Sequence, residues 1–392
     1  MKTLGRRILA GFGVLLAAAV IFWIVFLPDI VEGSFNTVIP HDDYVISAEA
    51  QALHDSLFVA DLHSDSLLWG RDLRKRGNVG HMDIPRLKDG NVGLQVFSAT
   101  TKSPAGQNYE SNSADADRLT LLAVALRWPV RSWFGIYERA VYQLDKLKDL
   151  ASKSELELIE SRDDFARLLA AREAGDDVIG ALYLIEGAHP LEGELDKLDR
   201  LYERGMRIMG LTHFFDNELG GSLHGLSGDG LTPFGRDAVR RADGLGVIID
   251  VAHASPAMTR EVLKLVTRPV ILSHGGVKGA CDTARNFDDA LMAEIAAAGG
   301  ILGIGYWDAA VCDFTPAGIA KAIRHAIDLM GIEHVALGSD YDGATAVLID
   351  AGELAALTQA MLDLGFTEAE IRAVMGENVR RFLLENLPDE GA

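Results

Sequence analysis

Residues Phe58–Asp65 (FVADLHSD) carry the first concentration of chemistry in the chain, an apolar run ending in a polar tip with Asp61, His63 and Asp65. Alternate side chains of a strand share a face, so His63 and Asp65 point the same way and together can grip a metal ion. Taken alone, such a pair is usually no more than a capped strand end. Here the event recurs. Apolar runs end in Glu186 (ALYLIEG), His213 (GLTHFFDN), His253 (IIDVAHAS), His274 (VILSHGG) and Asp340 (VALGSDYDG). One strand-end histidine is most often a hydrogen-bonded structural residue, but that explanation does not stretch to so many ligand-type residues at separate strand ends. The other histidines supply the contrast. His41, His54, His325 and His334 fall in spacer or helical contexts and His81 and His224 in loops, where surface or structural roles are expected. His189, three residues after Glu186, is left unassigned.

Neutral imidazoles and carboxylates are ligands that suit zinc, with cobalt or manganese as substitutes. The candidates exceed what one tetrahedral ion needs, whereas two ions about 3.5–4 Å apart and sharing a carboxylate would use them all. Glu186 is the expected bridge, because it is the one acidic strand-end residue between the His63/Asp65 pair and the later histidines. His63 and Asp65 then hold one ion, and His253 and His274 the other. A water shared by such a pair is acidified to hydroxide near neutral pH and can attack a carbonyl or phosphoryl centre.

These residues need a scaffold that brings strand ends together. Apolar strand candidates fall at 57–60, 92–97, 178–185, 206–211, 247–251, 270–272, 301–304 and 335–337. Helix starts follow several of them, as at Ser255-Pro256 and Thr315-Pro316, a cap residue with proline at the first helical position. Glycines close helices at Gly244, Gly299–Gly300 and Gly331, where a left-handed residue is wanted. Continuous apolar strands alternating with helices imply a parallel sheet covered on its outside, and eight strands close a (β/α)8 TIM barrel. Between Phe97 and Val178 the rhythm breaks into a polar loop (100–115) and helical stretches, expected as an insertion over the top face and a candidate lid. Rossmann and P-loop glycine fingerprints, repeats and low-complexity tracts are absent from the sequence.

The chain of 392 residues carries a formal charge of −20, which argues against nucleic acid as a partner. Its two cysteines, Cys281 and Cys312, are too few for a disulfide framework or a cysteine zinc site, though an oxidising compartment would permit one bridge. Lys2, Arg6 and Arg7 precede Ile8–Leu27, a run of uncharged residues that as a helix spans about 30 Å, the thickness of the hydrocarbon core. With the positive charge before the span, the N-terminus stays cytoplasmic and the body is exported, single-pass, to the periplasmic or extracellular side of the inner or plasma membrane. No Ala-x-Ala site follows, which favours an uncleaved anchor. The expected organisation is a transmembrane segment (1–27), a linker (28–50) and a barrel of the metal-dependent hydrolase type (51–388).

DLHSD, the Glu of LIEG, LTHFFDN, DVAHAS, ILSHGG, the triplet Ala284-Arg285-Asn286 and GSDYDG stand in an order that resembles the membrane dipeptidase (renal dipeptidase) family of zinc peptidases. The resemblance spans about residues 50–387. It implies a (β/α)8 barrel with two Zn2+, a homodimer, and hydrolysis of dipeptides with free ends, including ones with a D- or dehydro residue second. By position, His63, Asp65, Glu186, His253 and His274 match metal ligands. His213 matches the imidazole that contacts the substrate carbonyl, Arg285 the guanidinium that meets its carboxylate, and Asp340 the carboxylate that handles the amino end and proton transfer. Those roles suit the side chains, since a planar fork binds a carboxylate best and an oxyanion needs a fixed donor. Two departures stand out. Ser273-His274-Gly275-Gly276 replaces the Ser-His-Ser of many relatives and is expected to loosen the adjoining loop, and the strand-two insertion with the loop at 100–113 does not map onto the family, so the resemblance leaves the pocket that selects side chains undetermined. The anchor, moreover, is N-terminal where relatives often carry a C-terminal lipid. The alternatives are another dinuclear amidohydrolase acting on cyclic amides, lactones or phosphotriesters, which usually shows His-x-His on strand one, and a non-catalytic membrane-tethered barrel that binds a partner.

Overall fold

The computed structural model describes residues 2–391, with side chains from Arg7 onward, so the Lys2 and Arg6 side chains lie outside it. Eight parallel strands form a closed ring: β1 (Val59–Asp61), β2 (Val92–Thr100), β3 (Ile179–Glu186), β4 (Met206–Gly210), β5 (Ile248–Asp250), β6 (Ile271–Gly275), β7 (Ile301–Ile304) and β8 (Val335–Leu337). They pair in sequence order, and Leu337 of β8 lies beside Asp61 of β1 to complete the (β/α)8 barrel. β3 shows how the pattern builds the site. Leu182 and Leu184 join Leu94, Val96 and Ile208 in one buried cluster, while Tyr183 and Ile185 belong to a second, larger one, which includes the surrounding helices. Strand side chains alternate, so Glu186, two residues beyond Leu184, faces into the barrel mouth.

The helices start as the cap residues dictate. The hydroxyls of Ser255 and Thr315 accept hydrogen bonds from the Met258 and Gly318 amides, and Ser161 accepts from Asp164. Gly299 and Gly331 take positive φ after their helices. Gly244 does not. The helix Pro233–Leu245 runs through it, and Gly246, at φ 81°, occupies the left-handed position instead.

At the N-terminus, α1 (Lys2–Val25) is apolar and has no buried residue over Arg7–Val25, a length and composition sufficient to cross a membrane. The stretch expected as a linker is built into the body. It forms α2 (Leu27–Phe35) and a short strand, Thr37–Val38, that pairs in parallel with Ala346–Val347 beyond β8. Buried Glu32 of α2 pairs with Arg71, which also pairs with Asp342. Removing one member would leave a charge buried and unpaired, at a cost of about 3–5 kcal/mol.

The insertion between β2 and β3 contains the expected polar loop, then α3 (Leu119–Ala125), α4 (Val130–Phe134) and α5 (Ile136–Ala151). α5 turns an apolar stripe of Ala140, Val141, Leu144 and Leu147 inward, at the spacing of a helix face. Arg139, fully buried, fixes the loop to these helices. It donates to the carbonyls of Thr101 (2.8 Å), Ser132 (2.8 Å) and Trp133 (2.7 Å), to Thr120 Oγ1 (2.8 Å) and to Asp117 (2.7 Å). All five donors are used, so the cover over the mouth is held by a saturated guanidinium.

Candidate metal centre

The strand tips converge on the Glu186 carboxylate. Its Oε1 lies 3.6 Å from His63 Nε2, 3.5 Å from His213 Nε2, 3.3 Å from His253 Nε2 and 3.5 Å from His274 Nε2. Asp65 Oδ2 and Asp340 Oδ1 stand 3.9 and 4.0 Å from His63 Nε2. Every one of these residues is buried. His63, Asp65 and Glu186 form one group able to hold a cation, Glu186, His213 and His253 a second, and His63, His274 and Asp340 a third. The sequence-predicted site residues are therefore within reach of one another, Arg285 included, and all but His63 border one cavity of about 640 Å³. His189 lies apart from the cluster, stacked on Phe215 at 4.7 Å. His54, His81 and His224 are buried and not on the surface.

Local backbone geometry turns these side chains inward. His253 (φ 63°), Asp340 (φ 60°) and Asp342 (φ 62°) adopt left-handed conformations that cost a non-glycine residue of the order of 1 kcal/mol, as segments beyond β5 and β8 bend into the mouth. Ser273 sets the imidazole faces. Its Oγ donates its single proton to Asp250 Oδ2 (2.6 Å) while lying 3.1 Å from His63 Nδ1 and 2.9 Å from His274 Nδ1. Both Nδ1 atoms must then be the donors, which leaves both Nε2 atoms as the ones turned toward the Glu186 carboxylate, with His274 Nε2 also 2.9 Å from His253 Nε2. His63 Nε2 has no hydrogen-bond partner. Carboxylates and imidazole nitrogens crowded into one buried space need positive charge among them, a proton or a cation, and the donor set is of the nitrogen and oxygen kind that zinc takes. The residues present fit a metal.

The electrostatics agree. Burial disfavours protonated His63, yet Glu186, Asp65 and Asp340 outweigh it and push the ring up to about 10. His253 and His274 are driven well below the usual range by burial, with Arg285 and neighbouring imidazoles adding to it. Burial, Asp65 and Glu186 raise Asp340 well above an ordinary carboxylate, against the pull of His63 and Arg285. The carboxylates thus call for positive charge while two imidazoles stay neutral.

Arg285 is buried under Trp307, its guanidinium 5.5 Å from the indole centroid, and donates to the His274 carbonyl (2.5 Å). Its Nε has no partner. The loop carrying it is tight, contrary to the expected loosening. A Cβ on Gly276 would lie 2.0 Å from the Ala310 carbonyl oxygen, so the close approach itself requires glycine. Asn286 Nδ2 bonds both the Cys281 and Ala310 carbonyls, and a Cys281–Cys312 disulfide ties the same two segments.

Sequence reasoning missed three contributors. Thr100 Oγ1 lies 2.7 Å from Glu186 Oε2 and 3.0 Å from Asp65 Oδ1, and only its place at the end of β2 could have marked it. The Asp250–Ser273 pair was readable as strand-end polar residues in IID and ILS. Tyr109, in the polar loop, carried no signal. Its hydroxyl accepts from Trp307 Nε1 (2.9 Å), and burial with the nearby Asp340 pushes it up to about 12 despite Arg285.

Residues 47–387 match the family described as membrane dipeptidase, peptidase family M19. A protein described as an uncharacterized dipeptidase from Schizosaccharomyces pombe is 27% identical over 318 residues, covering 77% of this chain and 72% of that protein. Among solved structures, a probable dipeptidase, PvdM, from Pseudomonas aeruginosa aligns with a TM-score of 0.72 at 20% identity, covering 86% of this chain and 98% of that one. A metallopeptidase from Rhodobacter sphaeroides, solved with a phosphinate mimic of the dipeptide L-Ala-D-Ala, aligns with a TM-score of 0.66 at 22% identity, covering 84% and 99%. At such identities the structural likeness speaks for the barrel alone.

Proposed function

The chain belongs to the membrane dipeptidase family, which makes it a metal-dependent dipeptidase, and from that premise we propose an exported, membrane-anchored enzyme that cleaves dipeptides at a pair of zinc ions. The observation that carries the finer reading is the single carboxylate oxygen of Glu186 standing 3.3–3.6 Å from four imidazole nitrogens. His63 and Asp65 would hold one ion, His253 and His274 the other, with Glu186 shared. Bound there, the ions would supply Lewis acidity and a water acidic enough to act as a nucleophile near neutral pH.

The protein's own groups do the rest. Arg285, with an unpartnered Nε and a position at the cavity wall, meets the substrate carboxylate. His213 Nε2, fixed beside Glu186, donates to the oxygen of the tetrahedral intermediate. Asp340 takes the amino end and passes a proton to the leaving amine. Thr100 orients the Glu186 and Asp65 carboxylates. α1 supports membrane anchoring, and the Cys281–Cys312 disulfide supports an oxidising compartment and hence export. A homodimer completes the assembly in this reading.

The test is turnover of a panel of L,L and L,D dipeptides by the full-length protein. Hydrolysis is expected, is lost on chelation and returns with added zinc. Zinc-loaded, folded protein that cleaves none of the panel would overturn the reading.

A further inference from the structure

The catalytic cavity extends well past the residues that do the chemistry. Its 640 Å³ would hold about twenty waters at ~30 Å³ each, against about eleven non-hydrogen atoms in alanyl-alanine. The excess space is apolar. Its lining there is Val31 and Phe35 of α2, four residues apart on one helix face, with Leu119 and Leu122 of α3 and with Leu68 and Trp69, and all of these but Phe35 pack in one apolar cluster. The Phe35 ring lies 5.9 Å from that of Trp69.

α2 is no loose neighbour of this space. The buried chain Glu32–Arg71–Asp342 ties it to the segment that follows Asp340. Asn36 Oδ1 accepts from the Ala344 amide (3.0 Å), and both Gly343 and Ala344 border the cavity. On the far side, Trp23 Nε1 of α1 donates to the Val124 carbonyl of α3 (3.0 Å), so both walls are fixed to the anchor end of the chain. Asp340 handles the substrate's amino end in the proposed function, on which this inference rests. α2 is thus tied to the segment that carries Asp340, which puts the annex beside the group assigned to the substrate's amino end.

We propose that the annex built by α2 and α3 is a specificity pocket for the side chain of the amino-terminal residue, and that it selects dipeptides in which this residue is large and apolar. A stretch that looks like a membrane tether in sequence thereby becomes part of the substrate site.

The experiment uses the full-length, zinc-loaded protein in phosphatidylcholine nanodiscs. kcat/KM is measured for phenylalanyl-alanine, alanyl-phenylalanine and alanyl-alanine. The wild-type protein is expected to prefer phenylalanyl-alanine to alanyl-alanine by about tenfold or more, the scale set by filling an apolar pocket. Phe35→Ala should reduce that ratio about tenfold, and Phe35→Leu should restore part of it. Phe35 is half exposed, so the body folds without its ring. Retained alanyl-alanine hydrolysis with an unchanged ratio in Phe35→Ala would overturn the pocket alone, as would a wild-type preference for alanyl-phenylalanine. Loss of all three activities from the folded wild-type protein would overturn the dipeptidase reading, and this inference with it.

Discussion

Glu186→Gln is expected to lose about a thousandfold in kcat/KM toward every dipeptide cleaved, the upper end of what removing one preorganised electrostatic group costs. The change is nearly isosteric, so packing around β3 should survive. What is lost is a negative charge that four imidazole nitrogens face within 3.6 Å, replaced by an amide whose NH2 cannot accept. Zinc content of the purified variant should fall below two per chain. Circular dichroism separates this outcome from unfolding, and a folded variant with wild-type turnover would refute the shared-carboxylate assignment.

Arg285→Ala is expected to act on one end of the substrate. A buried, desolvated charge pair that loses a partner costs about 2–5 kcal/mol, so kcat/KM for dipeptides with a free carboxylate should drop about a hundredfold or more. C-terminal amides of the same dipeptides offer no carboxylate and should lose under about fivefold on the same scale. Arg285→Lys keeps the charge without the planar fork and should fall between. Equal losses for acids and amides would mean that Arg285 holds up the His274 backbone and does not read the substrate.

Much of this site is legible in the amino-acid sequence, because a barrel converts strand-end position into proximity. Glu186 follows the inward-facing Leu182 and Leu184 by parity, and His253, His274 and Asp340 close apolar runs of the same kind. Thr100 escaped because β2 runs three residues past Phe97, where its apolar run ends. The Ser273 hub depends on β1, β5 and β6 meeting, which no local pattern contains. α2 was hidden for a different reason. Its long-range polar anchors are buried Glu32 and Asn36, which caps it, and their partners stand 39 and 308 residues away in the chain, so the stretch reads as a solvated tether. Gly244 and Gly246 show a smaller limit, since either glycine could end that helix and only packing chooses.

Whether one glutamate joins two cations at the barrel mouth is tested most directly by anomalous scattering at the zinc edge from crystals of the zinc-saturated protein. Two peaks are predicted, each about 2.0–2.2 Å from a Glu186 carboxylate oxygen, one beside His63 and Asp65 and one beside His253 and His274. A single peak, or a pair with Glu186 touching at most one of them, would contradict it.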